Sequence, residues 1–231
     1  MRNSLLNIAI DGHSSCGKSS IAKDVSKKFK MKYVDSGAMY RAVTLFCLQN
    51  NFINGELIDH QKILKNLNEI NISFNYDTKS KILLNGLNVE NLIRDNDVSN
   101  YVSKISQIEQ VRSKLISFQK EICLQKNVVM DGRDIGTKVM PNADIKLFIT
   151  ANIDVRANRR FQELLLDGKK VTYDEVHKNL SVRDFDDTTR EINPLIKAKN
   201  AIVIDNTSLN FVEQNNIIFN IIKQKINESN N

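Results

Sequence analysis

The residues best suited to chemistry are eight consecutive ones near the start of the chain, Gly12-His13-Ser14-Ser15-Cys16-Gly17-Lys18-Ser19. Their pattern, Gly-x4-Gly-Lys-Ser, is that of a phosphate-binding loop, whose glycines let successive backbone N–H groups turn toward a phosphate. Lys18 is predicted to reach the β- and γ-phosphates of a nucleoside triphosphate, and Ser19 to place its hydroxyl on Mg²⁺. We expect the segment from Gly12 to Ser20 to bind the triphosphate.

A second charged cluster follows an apolar stretch in the middle of the chain. Residues 128–130 lead directly into Asp131-Gly132-Arg133-Asp134. An acid at the end of a buried strand commonly holds Mg²⁺ or one of its waters in phosphate-loop enzymes. We therefore expect Asp131 to share the metal with Ser19, at the sheet edge where ligands bind in open α/β folds.

Two further segments suit a second anion site. Asp35-Ser36-Gly37-Ala38-Met39-Tyr40-Arg41 enters a predicted helix, where Ser36, Arg41 and the free helix N-terminus can receive a phosphate. The segment 183–190 alternates acidic and basic residues, and a solvated helix face is its alternative interpretation. Two separate phosphate sites imply two anionic substrates and a phosphoryl transfer between them.

A mobile lid is predicted at about 156–190. Arg156, Arg159 and Arg160 precede a turn at Gly168. An arginine-bearing lid would neutralise charge on the transferred group, and its closure would exclude water and so favour transfer over hydrolysis. We expect Arg159 to be the catalytic arginine of this lid.

Hydrophobic periodicity predicts the elements that must position these residues. Strands are predicted at 5–10, 32–35, 127–131, 145–149 and 201–205. Helices are predicted at 18–29, from 36 to 48, across the amphipathic region 97–125, at 154–167, within 174–190 and after 205. Strands that alternate with helices indicate a doubly wound parallel sheet, which makes the fold class α/β of the phosphate-loop kinase type.

The segment from 70 to 92 departs from this alternation. Ile70, Ile72 and Phe74 alternate with polar residues as in a half-buried strand, a turn is predicted at 75–78, and Asn85-Gly86 is a hairpin signal after a strand at 81–84. We predict one domain with a core of 1–68 and 96–231 and a small β insertion at about 69–95.

The composition narrows the functional class. The 231 residues include no apolar run of the roughly 20 residues that a membrane helix needs, and the three cysteines show no metal-ligand spacing. We expect a cytoplasmic protein without a membrane partner. The net charge of +6 invites a nucleic-acid hypothesis, but the lysines are scattered and aromatic residues are not interleaved with them. A small polyanionic ligand explains the charge equally well, so no nucleic-acid partner is expected.

Together, these motifs resemble those of the bacterial cytidylate kinases, which move a phosphate from ATP to CMP or dCMP. The resemblance runs nearly end to end and is carried by Ile8-Ala9-Ile10-Asp11-Gly12, Asp35-Ser36-Gly37-Ala38-Met39-Tyr40-Arg41-Ala42-Val43-Thr44, Val111-Arg112, Met130-Asp131-Gly132-Arg133-Asp134-Ile135-Gly136-Thr137, Pro141-Asn142-Ala143-Asp144, Arg183-Asp184, Asp187-Thr188-Thr189-Arg190 and Pro194-Leu195. The insertion at 70–92 also falls where this family carries an additional monophosphate-binding segment.

The resemblance implies a role for each matching residue. Taken with the phosphate loop and the predicted lid, it leads us to expect catalytic roles for Lys18, Arg133, Arg159 and Arg190, with ATP as the donor and Mg²⁺ as the metal. It implies a CMP site in which arginines hold the phosphate, Arg183 and Asp187 contact the ribose, and Ser103, Arg112 and Asp134 contact the base. The implied CMP site as a whole comprises Ser36, Tyr40, Arg41, Ser103, Arg112, Arg133, Asp134, Arg183, Asp187 and Arg190.

Base recognition by Asp134 and Arg112 agrees with the chemistry of cytosine. Cytosine presents an N4 amine donor beside the N3 and O2 acceptors, so a carboxylate can accept from N4 while an arginine donates to the acceptors. Uracil reverses the first two positions, and an ionised Asp134 should disfavour it.

Departures from the family pattern and several alternatives remain. His13 stands where the resemblance implies proline, and Cys16 occupies a position that is usually small or polar. The alternatives are the same chemistry on UMP, AMP or a small hydroxyl metabolite, and a P-loop nucleotide switch, although the Asn-Lys-x-Asp motif of GTPases is absent from the sequence. The resemblance favours a monomer.

Overall fold

A computed structural model describes residues 5–75 and 81–230, with the backbone alone for 229 and 230. Most of the turn predicted at 75–78 lies outside these residues. Within the described part of the chain, the strands are β1 (Asn7–Gly12), β2 (Lys32–Asp35), β3 (Ile53–Asn54), β4 (Leu57–Ile58), β5 (Ile72–Asn75), β6 (Lys81–Leu84), β7 (Leu87–Asn88), β8 (Val128–Gly132), β9 (Ile145–Thr150) and β10 (Ile202–Asp205).

The central sheet is parallel and has the strand order β10-β9-β1-β8-β2. β1 and β8 are buried along their whole length, which explains why their sequences are nearly continuous apolar runs. Because every strand of this sheet runs the same way, the ends of β1, β2 and β8 meet at one edge, where Gly12, Asp35 and Asp131 lie. The predicted parallel α/β sheet is confirmed.

Helices cover both faces of the sheet. They are α1 (Lys18–Phe29), α2 (Ser36–Gln49), α3 (His60–Asn66), α4 (Asn96–Ile105), α5 (Glu109–Leu124), α6 (Ile153–Leu166), α7 (Tyr173–Thr189) and α8 (Phe211–Asn230). Ile8 and Ile10 of β1 pack in one core with α1 and α8, whereas Ala9 packs in the other with α2 and α5. The side chains of β1 therefore alternate between two cores, as a doubly wound sheet requires. No described helix combines the length and apolar character needed to cross a membrane.

A small antiparallel sheet of β5, β6 and β7 occupies the region of the predicted insertion. Asn85 and Gly86 both have positive φ, at 49° and 82°, as a two-residue hairpin turn requires. Ile82 and Leu84 of β6 are buried against the core that contains α2. One face of the small sheet thus packs on the main body.

Two predicted elements differ from those observed, and a third segment, 50–68, is partly helical as predicted but also contains a hairpin. The helical region 97–125 consists of two helices, α4 and α5, and the break is stabilised by Arg112, whose guanidinium donates to the Ser106 carbonyl at 2.9 Å. The first strand lies at 7–12 rather than 5–10, because pairing with β9 continues to Gly12. The polar stretch 50–68, predicted to be partly helical, contains the β3–β4 hairpin before α3.

Candidate active site

The phosphate-binding loop connects β1 to α1 and closely approaches the neighbouring strand. Gly12 has φ of 151°, and a Cβ at this position would lie 2.1 Å from the Ile149 carbonyl oxygen of β9, so only glycine fits. Gly17, with φ of 87°, caps α1, and neither a capping side chain nor an acidic residue occupies the first turn of that helix. The N–H groups and the positive end of the helix dipole at this terminus are therefore available to an anion.

Lys18 is buried in the loop, and its ammonium donates to the His13 carbonyl. Its Nζ also lies 3.6 Å from the Cys16 sulfur. Burial, followed by repulsion from Arg133, lowers the pKa of Lys18. A lysine held here without a carboxylate partner among the described residues would be stabilised by a bound phosphate.

Asp131, at the end of β8, forms an oxygen-rich cluster with Ser19. The Ser19 hydroxyl donates to Asp131 Oδ2 at 2.8 Å, and the Tyr33 hydroxyl donates to Oδ1 at 3.0 Å. Burial, reinforced by the nearby Asp35 charge, raises the pKa of Asp131 to about 6. Burial makes the Asp131 carboxylate costly to ionise without a cation beside it. The carboxylate and the Ser19 hydroxyl are oxygen ligands of the kind that Mg²⁺ prefers.

Arg133 bridges the two halves of the site. Its Nη2 donates to Ser14 Oγ of the phosphate loop at 2.7 Å, while its Nε donates to Asp187 Oδ2 of α7 at 2.6 Å. The Arg190 guanidinium also approaches Asp187, with Nη1 3.5 Å from Oδ1. One acid of α7 therefore approaches two arginines, of which Arg133 also contacts the phosphate loop.

A buried ion pair lies farther along the same cleft. Arg112 Nη2 donates to Asp134 Oδ2 at 2.5 Å, and the two side chains are 2% and 6% exposed. The Arg112 guanidinium also lies over the Tyr40 ring, 5.3 Å from its centroid. Tyr40 Oη, Arg112 Nε and Arg190 Nη2 are buried without a hydrogen-bond partner among the described residues. Unsatisfied buried donors are costly, so this end of the cleft is built to receive a polar group.

Two more arginines of the cleft, Arg41 and Arg183, are half-buried and form no salt bridge among the described residues. Burial and the neighbouring arginines Arg183 and Arg94 lower the pKa of Arg41 to about 9. Burial and the charge of Arg133 lower the pKa of Arg183 to about 10. Arg41 donates to Ser99 Oγ at 2.9 Å, a neutral partner. This excess of positive charge in the cleft favours an anionic ligand.

One cleft of about 560 Å³ joins the phosphate loop to the Arg112–Asp134 pair. It brings together most of the residues that the sequence predicts for the site: Ser14, Ser15, Gly17, Lys18, Ser19, Ser20, Ser36, Tyr40, Arg41, Ser103, Arg112, Asp131, Arg133, Asp134, Arg183, Asp187 and Arg190. Ser36 donates its hydroxyl to the Asp131 carbonyl at 2.7 Å. Segments more than 150 residues apart in sequence therefore line one continuous space.

Four predicted residues do not line this cleft. Gly12, His13 and Cys16 belong to the phosphate loop but are not among the residues that line the cleft. Arg159 donates to the Asn206 side chain at 3.0 Å and to the Asn206 carbonyl at 2.8 Å. Within the predicted lid it is Arg160, not Arg159, that lines the cleft. Arg156 is buried rather than poised on the lid surface.

Two buried residues outside the predicted set, Asp11 and Asn206, support the site. Asp11 is buried and accepts from the Ile135 and Gly136 amides at 2.8 and 2.7 Å, which fixes the chain just after Asp134. Asn206 is also buried, and its amide donates to the Cys16 carbonyl at 2.9 Å. A polar residue within or directly after an apolar strand was the available signal in both cases.

Comparison with known proteins identifies a family. The cytidylate kinase family model matches residues 8–224. The chain is 47% identical to a cytidylate kinase of Flavobacterium psychrophilum over 94% of this chain and 97% of that protein. It is 46% identical to a cytidylate kinase of Bacteroides fragilis over 90% of this chain and 93% of that one. A crystal structure of an uncharacterised Eubacterium ventriosum protein, 11% identical, covers 96% of this chain and 99% of its own with a TM-score of 0.51, which is a likeness of fold alone.

Proposed function

The chain belongs to the cytidylate kinase family, and we propose that it transfers the γ-phosphate of ATP to CMP or dCMP. A phosphate oxygen of the monophosphate attacks the γ-phosphorus, the bond from that phosphorus to the β–γ bridging oxygen breaks, and ADP leaves. The products are ADP and CDP or dCDP. The monophosphate is largely dianionic at neutral pH, so its attacking oxygen needs no general base. The described lining of the cleft contains no histidine, in keeping with this chemistry.

The observation that carries the proposal is the buried Arg112–Asp134 pair, which lies in the same cleft as the phosphate loop. The Asp134 carboxylate suits the N4 amine of cytosine, and the Arg112 donors suit its N3 and O2 acceptors. Arg112 Nε and the Tyr40 hydroxyl have no partner among the described residues, so both have capacity left for a base. Uracil would set its O4 oxygen against the Asp134 carboxylate.

The cationic residues of the cleft are proposed to bind phosphates. Lys18 holds the β- and γ-phosphates of ATP, and Arg41 binds the phosphate of CMP. Arg133 and Arg190 lie between the two and neutralise charge on the transferred group as it passes. The bridging contacts of Arg133 with Ser14 and Asp187 support this intermediate position. Arg160, which lines the cleft, is a better candidate than Arg159 for a lid arginine.

Mg²⁺ fits the Ser19–Asp131 cluster. Ser19 Oγ and Asp131 Oδ2 are hard oxygen donors 2.8 Å apart, at the point where the triphosphate would emerge from the loop. A Mg²⁺ site that uses few protein ligands and relies on substrate phosphates and water is the common arrangement in kinases. When bound, Mg²⁺ would supply positive charge that offsets the charge of the phosphates. Asp131 would hold it directly or through water.

The remaining parts of the proposal concern the ribose site, the lid, the β insertion and the state of the protein in the cell. Arg183 and Asp187 of α7 contact the sugar of CMP, with Ser36 and Ser103 contributing to the phosphate and base sites. The region 156–190 acts as a lid, and the insertion at about 69–95 forms part of the monophosphate side. We further propose a cytoplasmic monomer that acts on ATP and CMP or dCMP without a nucleic-acid or membrane partner. The three cysteines are all buried free thiols, which suits a reducing compartment.

ADP release tests the proposed function. The protein is incubated with ATP and Mg²⁺ alone, or with CMP, dCMP, UMP or AMP, and ADP is followed in a coupled assay. We expect rapid release with CMP and dCMP and little in the other reactions. Equal release without an acceptor would indicate an ATPase, and preference for UMP or AMP would indicate a different acceptor.

A further inference from the structure

His13 of the phosphate loop faces the helix that lines the acceptor half of the cleft. Its Nδ1 lies 3.4 Å from Asp184 Oδ1 of α7, and the two side chains are 23% and 14% exposed. Neither atom has a hydrogen-bond partner among the described residues. The imidazole packs edge-on against Phe148 of β9, with ring centroids 6.3 Å apart. A titratable ring is therefore held at ion-pair distance from an acid on another element.

Asp184 can accept a hydrogen bond at Oδ1. Its other oxygen, Oδ2, accepts from Arg156 Nη1 of α6 at 2.6 Å. Burial opposes ionisation of Asp184, but its contacts with His13 and Arg156 outweigh burial and lower the pKa of this carboxyl. Asp184 is accordingly an anion at neutral pH, and its Oδ1 is the acceptor nearest to His13.

Arg156 ties this junction to the loop. Its Nη1 also lies 3.2 Å from the Ser14 carbonyl, and its Nε donates to the Ala151 carbonyl at 2.9 Å. The charged groups packed around the His13 end of the loop are Asp184 from α7, Arg156 from α6, Lys18 from α1 and Arg133 after β8, while β9 contributes the apolar Phe148. Among these groups Asp184 is the one anion, so it is the partner that a charged imidazole would seek.

The helix that Asp184 belongs to also carries part of the acceptor site. Arg183 and Asp187 are its neighbours on α7, and both line the cleft. A contact that fixes α7 against the loop before a nucleotide binds would reduce the ordering cost of acceptor binding.

We propose that His13 is a positioning residue whose protonated imidazole pairs with Asp184 and fixes α7 against the phosphate loop, so that protonation of His13 strengthens binding of the acceptor nucleotide. The proposal rests on the proposed function. Only the doubly protonated imidazole makes Nδ1 a charged donor. When His13 loses that second ring proton the ion pair is lost, and acceptor binding weakens.

The test compares wild type with His13→Asn from pH 5.5 to 8.5. The KM for CMP and kcat are measured at saturating ATP and Mg²⁺. Asparagine retains an N–H donor but does not titrate. The CMP phosphate itself titrates near pH 6, so the informative quantity is the ratio of the variant KM to the wild-type KM at each pH, from which that titration cancels. We expect a ratio near one at pH 8.5 that rises to about two- to five-fold at pH 5.5, the range typical of a partly exposed pair, with a smaller change in kcat.

Further variants make the result decisive. His177→Asn is the matched control, because His177 Nε2 lies 3.3 Å from Asp154 in an exposed pair that also joins α6 and α7. We expect its ratio to stay near one throughout. In the Asp184→Asn background, adding His13→Asn should have no pH-dependent effect. If His13→Asn does not fold, His13→Gln takes its place.

Either of two outcomes would overturn the proposal: a ratio of variant KM to wild-type KM that does not depend on pH, or a pH-dependent effect of His13→Asn that persists when Asp184 is asparagine. Failure of the proposed function is a separate outcome, since wild type would then release no ADP with CMP at any pH.

Discussion

Asp134→Asn tests how the cleft discriminates between bases. Asp134 and Arg112 form a pair whose side chains are 6% and 2% exposed. A base bound there therefore forms its hydrogen bonds with groups that are shielded from water. A hydrogen bond to a charged group contributes about 1.5–3 kcal/mol, which corresponds to about 10- to 150-fold in kcat/KM. Asparagine keeps the shape, weakens the bond to the cytosine amine and can donate an N–H to O4 of uracil.

We therefore expect Asp134→Asn to reduce kcat/KM for CMP by about 10- to 150-fold and to reduce the CMP-over-UMP ratio by at least about 10-fold. Initial ADP-release rates are measured for both nucleotides across a range of concentrations. Asp134→Ala should show the same direction, but it leaves Arg112 buried and unpaired, which costs about 3–5 kcal/mol of stability. Each variant is therefore assayed below its own unfolding temperature.

Asp97→Asn is the matched control, because Asp97 is an exposed acid in the first turn of α4 and does not line the cleft. It should leave both rates unchanged. An unaltered CMP-over-UMP ratio in Asp134→Asn would remove Asp134 from base recognition and refute the reasoning.

Three further variants probe the rest of the site. Asp187→Ala should weaken CMP binding by about 10-fold through loss of a charged contact to the sugar, and an unchanged calorimetric affinity would dismiss the ribose role. Asp131→Asn removes a carboxyl group. Burial raises the pKa of that carboxyl from 3.8 to about 6. Because the folded state holds the proton more tightly than the unfolded state, the stability of the wild type falls as the pH rises from about 4 to 6. Without Mg²⁺ the asparagine variant should therefore gain in Tm over wild type across that range, whereas a Tm difference independent of pH would contradict the assignment. Gly12→Ala places a Cβ 2.1 Å from the Ile149 carbonyl and should cost about 2–4 kcal/mol of unfolding free energy. Gly55→Ala, at a positive φ with open space around it, should cost only about 1–2 kcal/mol, and equal losses in the two would refute the steric explanation.

Much of the fold was predictable because local signals agreed with the tertiary structure. α1 and β2 lie at their predicted bounds. Apolar spacing and the glycine loop before it specify α1, and a short apolar run bounded by turn residues specifies β2. The break between α4 and α5 was not predicted, because the contact that supports it, from Arg112 to the Ser106 carbonyl six positions earlier, depends on the direction in which the Arg112 side chain packs.

The site was predictable as a set of segments but not as a set of contacts. The motifs identified which strand ends meet, whereas the direction of a helical side chain depends on how its helix packs. Arg159 and Arg160 are adjacent in sequence, yet one binds Asn206 and the other lines the cleft. The His13–Asp184 approach joins residues 171 positions apart, and nothing in either local sequence indicates it.

The ratio of kcat/KM for CMP to that for UMP in the wild-type protein tests the central claim most directly. In bound uracil the O4 acceptor would face the Asp134 carboxylate, and the N3–H donor would face the Arg112 guanidinium. Each of these two mismatches costs about 1–3 kcal/mol of binding free energy. The ratio should therefore be at least about 30-fold in favour of CMP. A ratio near one would contradict the claim that this cleft recognises cytosine.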